Sequence, residues 1–218
     1  GKIDGKDTLF IGKGATERNI KKNIKGRRII HLSVHGYYGE GKCEDIGGAN
    51  KEKRELNIKG KGEVEEKKIH TDPLENSALV FAGAGRGGDG EEDGYLTALE
   101  VLGLDLRETE LTILSACETA LGETKTGEGV FGLRRAFHIA GVRSLLASLW
   151  SVSDIASKKF FVGDKEKDMK GYLEYIKEGK KSKAEALREV KKSFINSNSR
   201  ILSHPFVWAP FILSGDWR

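Results

Sequence analysis

Six runs of strand length dominate the sequence: "TLFIG", "RIIHLSV", "SALVFAG", "LTILSA", "SLLASLW" and "FVWAPFILSG", each bounded by glycine, polar or charged residues. Most are separated by segments that suit helices. From Gly129, "GVFGLRRAFHIAG" spreads Val130, Phe131, Leu133, Phe137 and Ile139 so broadly that little of the helix is expected to face water. "AEALREVKKSF" instead puts Leu187, Val190 and Phe194 on one stripe with Lys and Glu opposite, as in a surface helix. Strands alternating with helices imply an α/β fold, a mostly parallel sheet of about six strands with helices on both faces.

A length of 218 residues suits one core, since single cores grow to roughly 250 residues before chains split. Residues 1–218 therefore read as one domain. Residues 39–72 break the rhythm, being dense in Lys, Glu and Gly, and read as a charged surface insertion. Pro73, Pro205 and Pro210 mark no linker.

The 37 basic and 33 acidic residues are interleaved, leaving a net charge of +4. Even "KEGKKSKAEALREVKK" lacks the aromatics and the acid-free run of a nucleic-acid surface, so no direct nucleic-acid partner is expected. No apolar span reaches about 18 residues, so no membrane partner is expected either. Two cysteines, Cys43 and Cys117, without a signal peptide, point to a reducing, cytoplasmic setting. The sequence opens on Gly1 rather than Met, as a module cut from a longer protein would.

The chemistry concentrates in "LTILSACETALG". Its apolar run ends at Ser115 and Ala116, which puts Cys117 at the carboxyl end of a buried strand, the edge where open α/β sheets bind ligands. A buried structural cysteine is the alternative, because free Cys is among the most buried residue types. "RIIHLSVHG" supplies a second strand, with His35 and Gly36 where it leaves the sheet. If the two strands are neighbours, His35 faces Cys117 and can take the thiol proton, then return it to a leaving amine.

His31 and His35 have the H-x-x-x-H spacing of a metal pair, but on a strand four steps span about 13 Å. No metal is expected, and His31 reads as a core histidine with a satisfied ring. "GAGRGG", at Gly83, Gly85 and Gly88, formally matches a dinucleotide fingerprint, yet "DGEEDG" follows where a helix N-terminus should meet phosphate. No cofactor is expected. After "SLLASLW" come Trp150, Ser151 and Asp154, an aromatic and an acid able to shape a pocket for a basic side chain. Position alone favours the plainer alternative, with Trp150 in the core and Asp154 capping the next helix.

"HLSVHG", "DGYLTALEVLGLDL", "LTILSACETALGETKTGEGVFGLRRAFHIAGVRSLLASLW", "SVSD" and "HPFVWAPFILSGD" together resemble a CHAT domain, the caspase-like peptidase module often attached to tetratricopeptide repeats. The likeness runs in order from about Thr8, with residues 39–72 the exception. It implies a caspase-like three-layer sandwich and a dyad with His35 as base and acid and Cys117 as nucleophile. It also implies an oxyanion hole from the main-chain N–H groups of Gly36 and Cys117, where glycine lets a carbonyl approach closely. In related separases an acid after a similar "LW" receives an arginine side chain. Asp154 is similarly placed, with the main chain around Ser148 to Ser151 pairing with an extended substrate. The implied activity is an intracellular cysteine endopeptidase cutting selected protein partners, dependent on a regulatory or tetratricopeptide-repeat partner or fused domain. The alternative is a catalytically silent docking module.

Overall fold

A computed structural model describes residues 8–38, 74, 77–85, 92–115 and 129–218. In chain order these form helix α1 (Glu17–Asn23), strands β1 (Ile29–Leu32), β2 (His35–Tyr38), β3 (Ser77–Val80) and β4 (Tyr95–Thr97), and helix α2 (Ala98–Leu102). Then come β5 (Leu111–Leu114), α3 (Gly129–Ile139), β6 (Ser144–Ser148), α4 (Asp154–Val162), β7 (Gly163–Asp164) and β8 (Met169–Lys170). Helices α5 (Tyr172–Glu178), α6 (Lys183–Ile195) and α7 (Pro205–Trp208) precede the last strand, β9 (Phe211–Gly215).

The principal sheet runs β1-β5-β6-β9, with β1, β5 and β6 parallel and β9 antiparallel at the edge. Every residue of β5, "LTIL", is buried, as a strand covered on both faces requires. Side-chain alternation sorts the core in two. Leu111, Ile113 and Leu146 join Phe160, Phe161, Tyr172, Val190 and Phe194 on one face. Leu114 and Leu145 join Val101, Leu133, Ala136 and Phe137 on the other. Helices α4, α5 and α6 thus cover one face and α2 and α3 the opposite one, a three-layer α/β sandwich. On the first face Phe160 stacks on Phe211 at 4.0 Å between ring centroids and meets Phe194 at 5.5 Å. Truncating such a ring to Ala typically costs about 3–5 kcal/mol.

The strands are distributed differently from the sequence expectation. "SALVFAG" supplies β3 to a second, antiparallel sheet, β2-β3-β4, rather than to the parallel one. "TLFIG" forms no strand: Leu9 and Ile11 are 79% and 73% exposed, and Gly12–Gly14 make a 3-10 turn. Two glycines within three residues favour that turn, Gly12 taking φ +54°. In "FVWAPFILSG" only Phe211–Gly215 is extended, because Pro205 at the first helical position begins a helical turn under a His204 side-chain cap. Helix α3 also keeps a solvent side, Ile139 being 62% exposed.

Two local devices fix the helices that flank the sheet. Thr97 and Glu100 form a reciprocal capping box at the start of α2. Gly141, at φ +112°, turns the chain from α3 toward β6 where a Cβ would lie 2.8 Å from Arg107 Cα. The insertion expected at 39–72 lies outside the described residues. Among the described residues, no helix is long and apolar enough to cross a membrane.

Candidate active site

Parallel neighbours end on the same edge of a sheet, the edge to which the sequence assigns its candidate residues. Leu32 pairs with Leu114 in the β1–β5 register, and the Ser115 N–H donates to the Leu32 carbonyl at 3.0 Å, extending the ladder by a step. His35 follows Leu32 by three residues, as Cys117 follows Leu114. Cys117 lies outside the described residues. His35 is exposed, and it lies in a strand rather than a loop. It opens β2 opposite Val80, with Gly36 opposite Leu79, so the second sheet holds both residues after the two-residue link Ser33–Val34.

His31 departs from the expected core histidine. Its ring is exposed on the edge strand β1, packs against Phe161 at 5.1 Å, and one nitrogen, Nε2, meets Ser115 Oγ at 2.8 Å. Crowding by protein lowers its pKa, while its open edge still meets water. The contact is a diagonal cross-strand pair on one sheet face. It ties β1 to the last described residue before the Cys117 segment.

β6 reaches the same edge. Ser148 is buried opposite Phe211, and the Leu149 N–H donates to the Pro210 carbonyl at 3.0 Å. Trp150 is half-buried: its indole N–H donates to the Phe206 carbonyl at 2.8 Å, and its ring lies 5.7 Å from that of Phe206. Ser151 and Asp154 are exposed. The cap of α4 is Ser153, whose Oγ accepts the Ala156 N–H at 3.4 Å; Asp154 is the first helical residue. The cap role expected of Asp154 therefore belongs to its neighbour. Asp154 has no ion-pair partner among the described residues and is left as a solvent-facing carboxylate at the edge.

A second charged cluster joins α1, the approach to β4, and α2. Lys21 Nζ lies 2.5 Å from Glu17 and Glu92 and 2.7 Å from Glu100, and Glu17 also accepts the Gly94 N–H at 2.9 Å. Among the described residues these three carboxylates are the one group close enough to share a metal ion. The Lys21 ammonium already occupies their midst. One cation cannot neutralise three carboxylates, so the proton goes to the most buried: burial pushes Glu17 up to about 7, whereas hydrogen bonding to Lys21 holds Glu92 and Glu100 down.

A family model described as the CHAT domain matches residues 3–216. The chain belongs to the CHAT family. Its layered α/β architecture is the caspase-like, peptidase-related CHAT fold. Tetratricopeptide repeat protein 28 of Homo sapiens is 36% identical over 120 residues, covering 55% of this CHAT chain and 4% of the relative. The Mus musculus protein of that name is 35% identical over 120 residues, with the same coverage. The CHAT chain thus spans a small part of these relatives, which are tetratricopeptide repeat proteins by name.

The structure adds to the CHAT edge the His31–Ser115 contact, the Ser153 cap and the Phe206 support of Trp150, none of which the sequence reading singled out. The first was signalled in part by period-two spacing. Ser115 lies two residues beyond Ile113, the register partner of His31, so the two share a face once the strands are paired.

Proposed function

We propose that this CHAT domain is a cysteine endopeptidase that cuts selected protein partners with His35 and Cys117. The carrying observation is the in-register pairing of Leu32 with Leu114, from which the two residues are equally spaced along the chain. In this reading His35 takes the Cys117 proton and the thiolate attacks the scissile carbonyl carbon. Main-chain N–H groups of Gly36 and Cys117 stabilise the oxyanion. As the tetrahedral adduct collapses, the C–N bond breaks and His35 protonates the leaving amine. Water activated by His35 then hydrolyses the thioester, releasing the acid and restoring the thiol.

Asp154 is the proposed receptor for a basic residue on the acyl side of the bond. Its exposure, its lack of a described cation partner and its place after β6 support that role. Trp150, held by Phe206, forms one wall; Ser148 and Ser151 flank it, and main chain from Ser148 to Ser151 pairs with the extended substrate. Because the Leu149 N–H is taken by Pro210, pairing uses the side of this segment that lies beyond the end of β5. The nucleophile requires a reduced thiol, in keeping with a cytoplasmic setting. We take residues 1–218 as one such domain with a charged insertion at 39–72, acting with a tetratricopeptide-repeat or other regulatory partner.

The test is cleavage of a peptide library varied at the acyl-side residue, with candidate partner proteins added in parallel. Cleavage lost in Cys117→Ala and His35→Ala, with folding intact, is the expected result. Cleavage that persists in both variants overturns the dyad. Silence under every condition, with Cys117 alkylated no faster than an ordinary thiol, replaces the peptidase with the docking module.

A further inference from the structure

Helix α6 carries apolar side chains on a second row beside the one the core buries. Ala186, Val190 and Phe194 face the sheet and are fully buried. A second row, including Leu187 and Ile195, instead lines an open groove of about 420 Å³ whose far wall is Trp208, Leu213 and Trp217. Ile195 and Trp217 are 47% and 60% exposed, large apolar surfaces left in water. Along α6 the lining falls at residues 184, 187, 188, 191, 192 and 195, the i, i+3, i+4, i+7 repeat of a helix-packing stripe. At 1.5 Å per residue the stripe is about 16 Å long, the length of a three-turn helix laid beside it.

Charge narrows the occupant. Among the described residues the groove is lined by three cations, Arg188, Lys191 and Lys192, and by no carboxylate. Lys192 has the neighbouring Glu189 at 3.3 Å, whereas Lys191 is half-buried with its Nζ 3.5 Å from the Ala209 carbonyl. Burial lowers the Lys191 pKa, so an opposing carboxylate would relieve the cost of keeping it charged. A second copy of this chain, packed two-fold on this face, would bring like charges together.

We infer that the α6 groove docks an α-helix of a protein partner whose apolar stripe is bordered by Asp and Glu. The apolar stripe would fill the space between Leu187 and the two tryptophans, and its carboxylates would meet Arg188, Lys191 and Lys192 along the rim. The inference does not rest on the peptidase reading. It has a bearing on that site, however, because Trp208 shares α7 with Phe206, whose carbonyl holds the Trp150 indole.

The probe is a pair of labelled 18-residue helical peptides with an identical leucine stripe, flanked by Glu in one and Lys in the other. Binding is read by anisotropy and by amide-exchange protection of the whole chain. The expected result is micromolar binding of the Glu peptide, about tenfold or more weaker for the Lys peptide, with protection confined to α6, α7 and β9. Trp217→Ala and Ile195→Glu, both at exposed side chains, should weaken binding with the circular dichroism unchanged. Arg188→Glu with Lys192→Glu should invert the preference between peptides. Equal binding of both peptides, binding indifferent to these variants, or no binding of either overturns the inference. So does a concentration-dependent dimer lost in Trp217→Ala, or binding only to phosphatidylserine vesicles.

Discussion

Leu32 and Leu114 are paired across adjacent parallel strands, and from each the chain runs three residues to a member of the proposed dyad. The His31–Ser115 contact braces this pairing one step further along, at 2.8 Å. Replacing His31 by Phe keeps the ring contact with Phe161 and removes the hydrogen bond, a loss of about 1 kcal/mol in folding stability. Under the peptidase reading, His31→Phe should lower kcat several-fold with KM nearly unchanged. Ser115→Ala should do the same and add little in the double variant, because both remove one bond. Additive losses would show that the two residues act separately.

The exposed Asp154 and its neighbour Ser153 divide two roles that the sequence could not separate. Ser153→Ala should cost about 1 kcal/mol, seen as a lower urea midpoint, and leave cleavage preference unchanged. Asp154→Ala should change stability by no more than about 1 kcal/mol, through the lost interaction with the helix dipole. It should also abolish any preference for Arg or Lys at the cut. If both variants leave the preference intact, the basic pocket is not at Asp154.

Much of this fold was legible because its strands are short, apolar and sharply bounded. β5 reads directly from "LTIL" and β6 from "SLLAS", and the alternation with helices gave the layers. Strand partnership was less legible. "SALVFAG" looks no different from a parallel-sheet strand, and only its pairing with β2 and β4 moves it to the second sheet. "TLFIG" shows the opposite error, an apolar run that joins neither sheet and leaves Leu9 and Ile11 in water. At the site, residue types marked His35 and Asp154, but roles fixed by contact did not show. His31 could not be placed on an exposed edge until β1 was known to be the outer strand, nor Ser153 be preferred as cap until α4 had a first residue.

Thr112 carries a misfit within the core of β5. It is fully buried between β1 and β6, and its Oγ1 has no hydrogen-bond partner among the described residues. Valine has nearly the same shape without the hydroxyl, so Thr112→Val should raise stability by about 1 kcal/mol. For a chain of this length that is a rise of about 2–4 °C in Tm. Calorimetry checks it, and a lower Tm would mean that the hydroxyl is satisfied in solution.

The Glu17 cluster should give the domain a stability optimum on the acid side of neutrality. Burial holds Glu17 at about 7 in the folded chain against an ordinary carboxylate value of 4.5, so the folded state binds the extra proton. Stability therefore falls as pH rises between these values, and stays at its lower level above them. Glu92 and Glu100 are shifted the other way, and their contribution is lost as pH drops below the ordinary carboxylate range. Urea unfolding at stepped pH should show the fall from about pH 5 to pH 7, on the order of 1–2 kcal/mol. Glu17→Gln stays neutral and can still accept the Gly94 N–H, so it should flatten that arm and leave the acid-side loss in place. An unchanged slope in Glu17→Gln would assign the titration to another group.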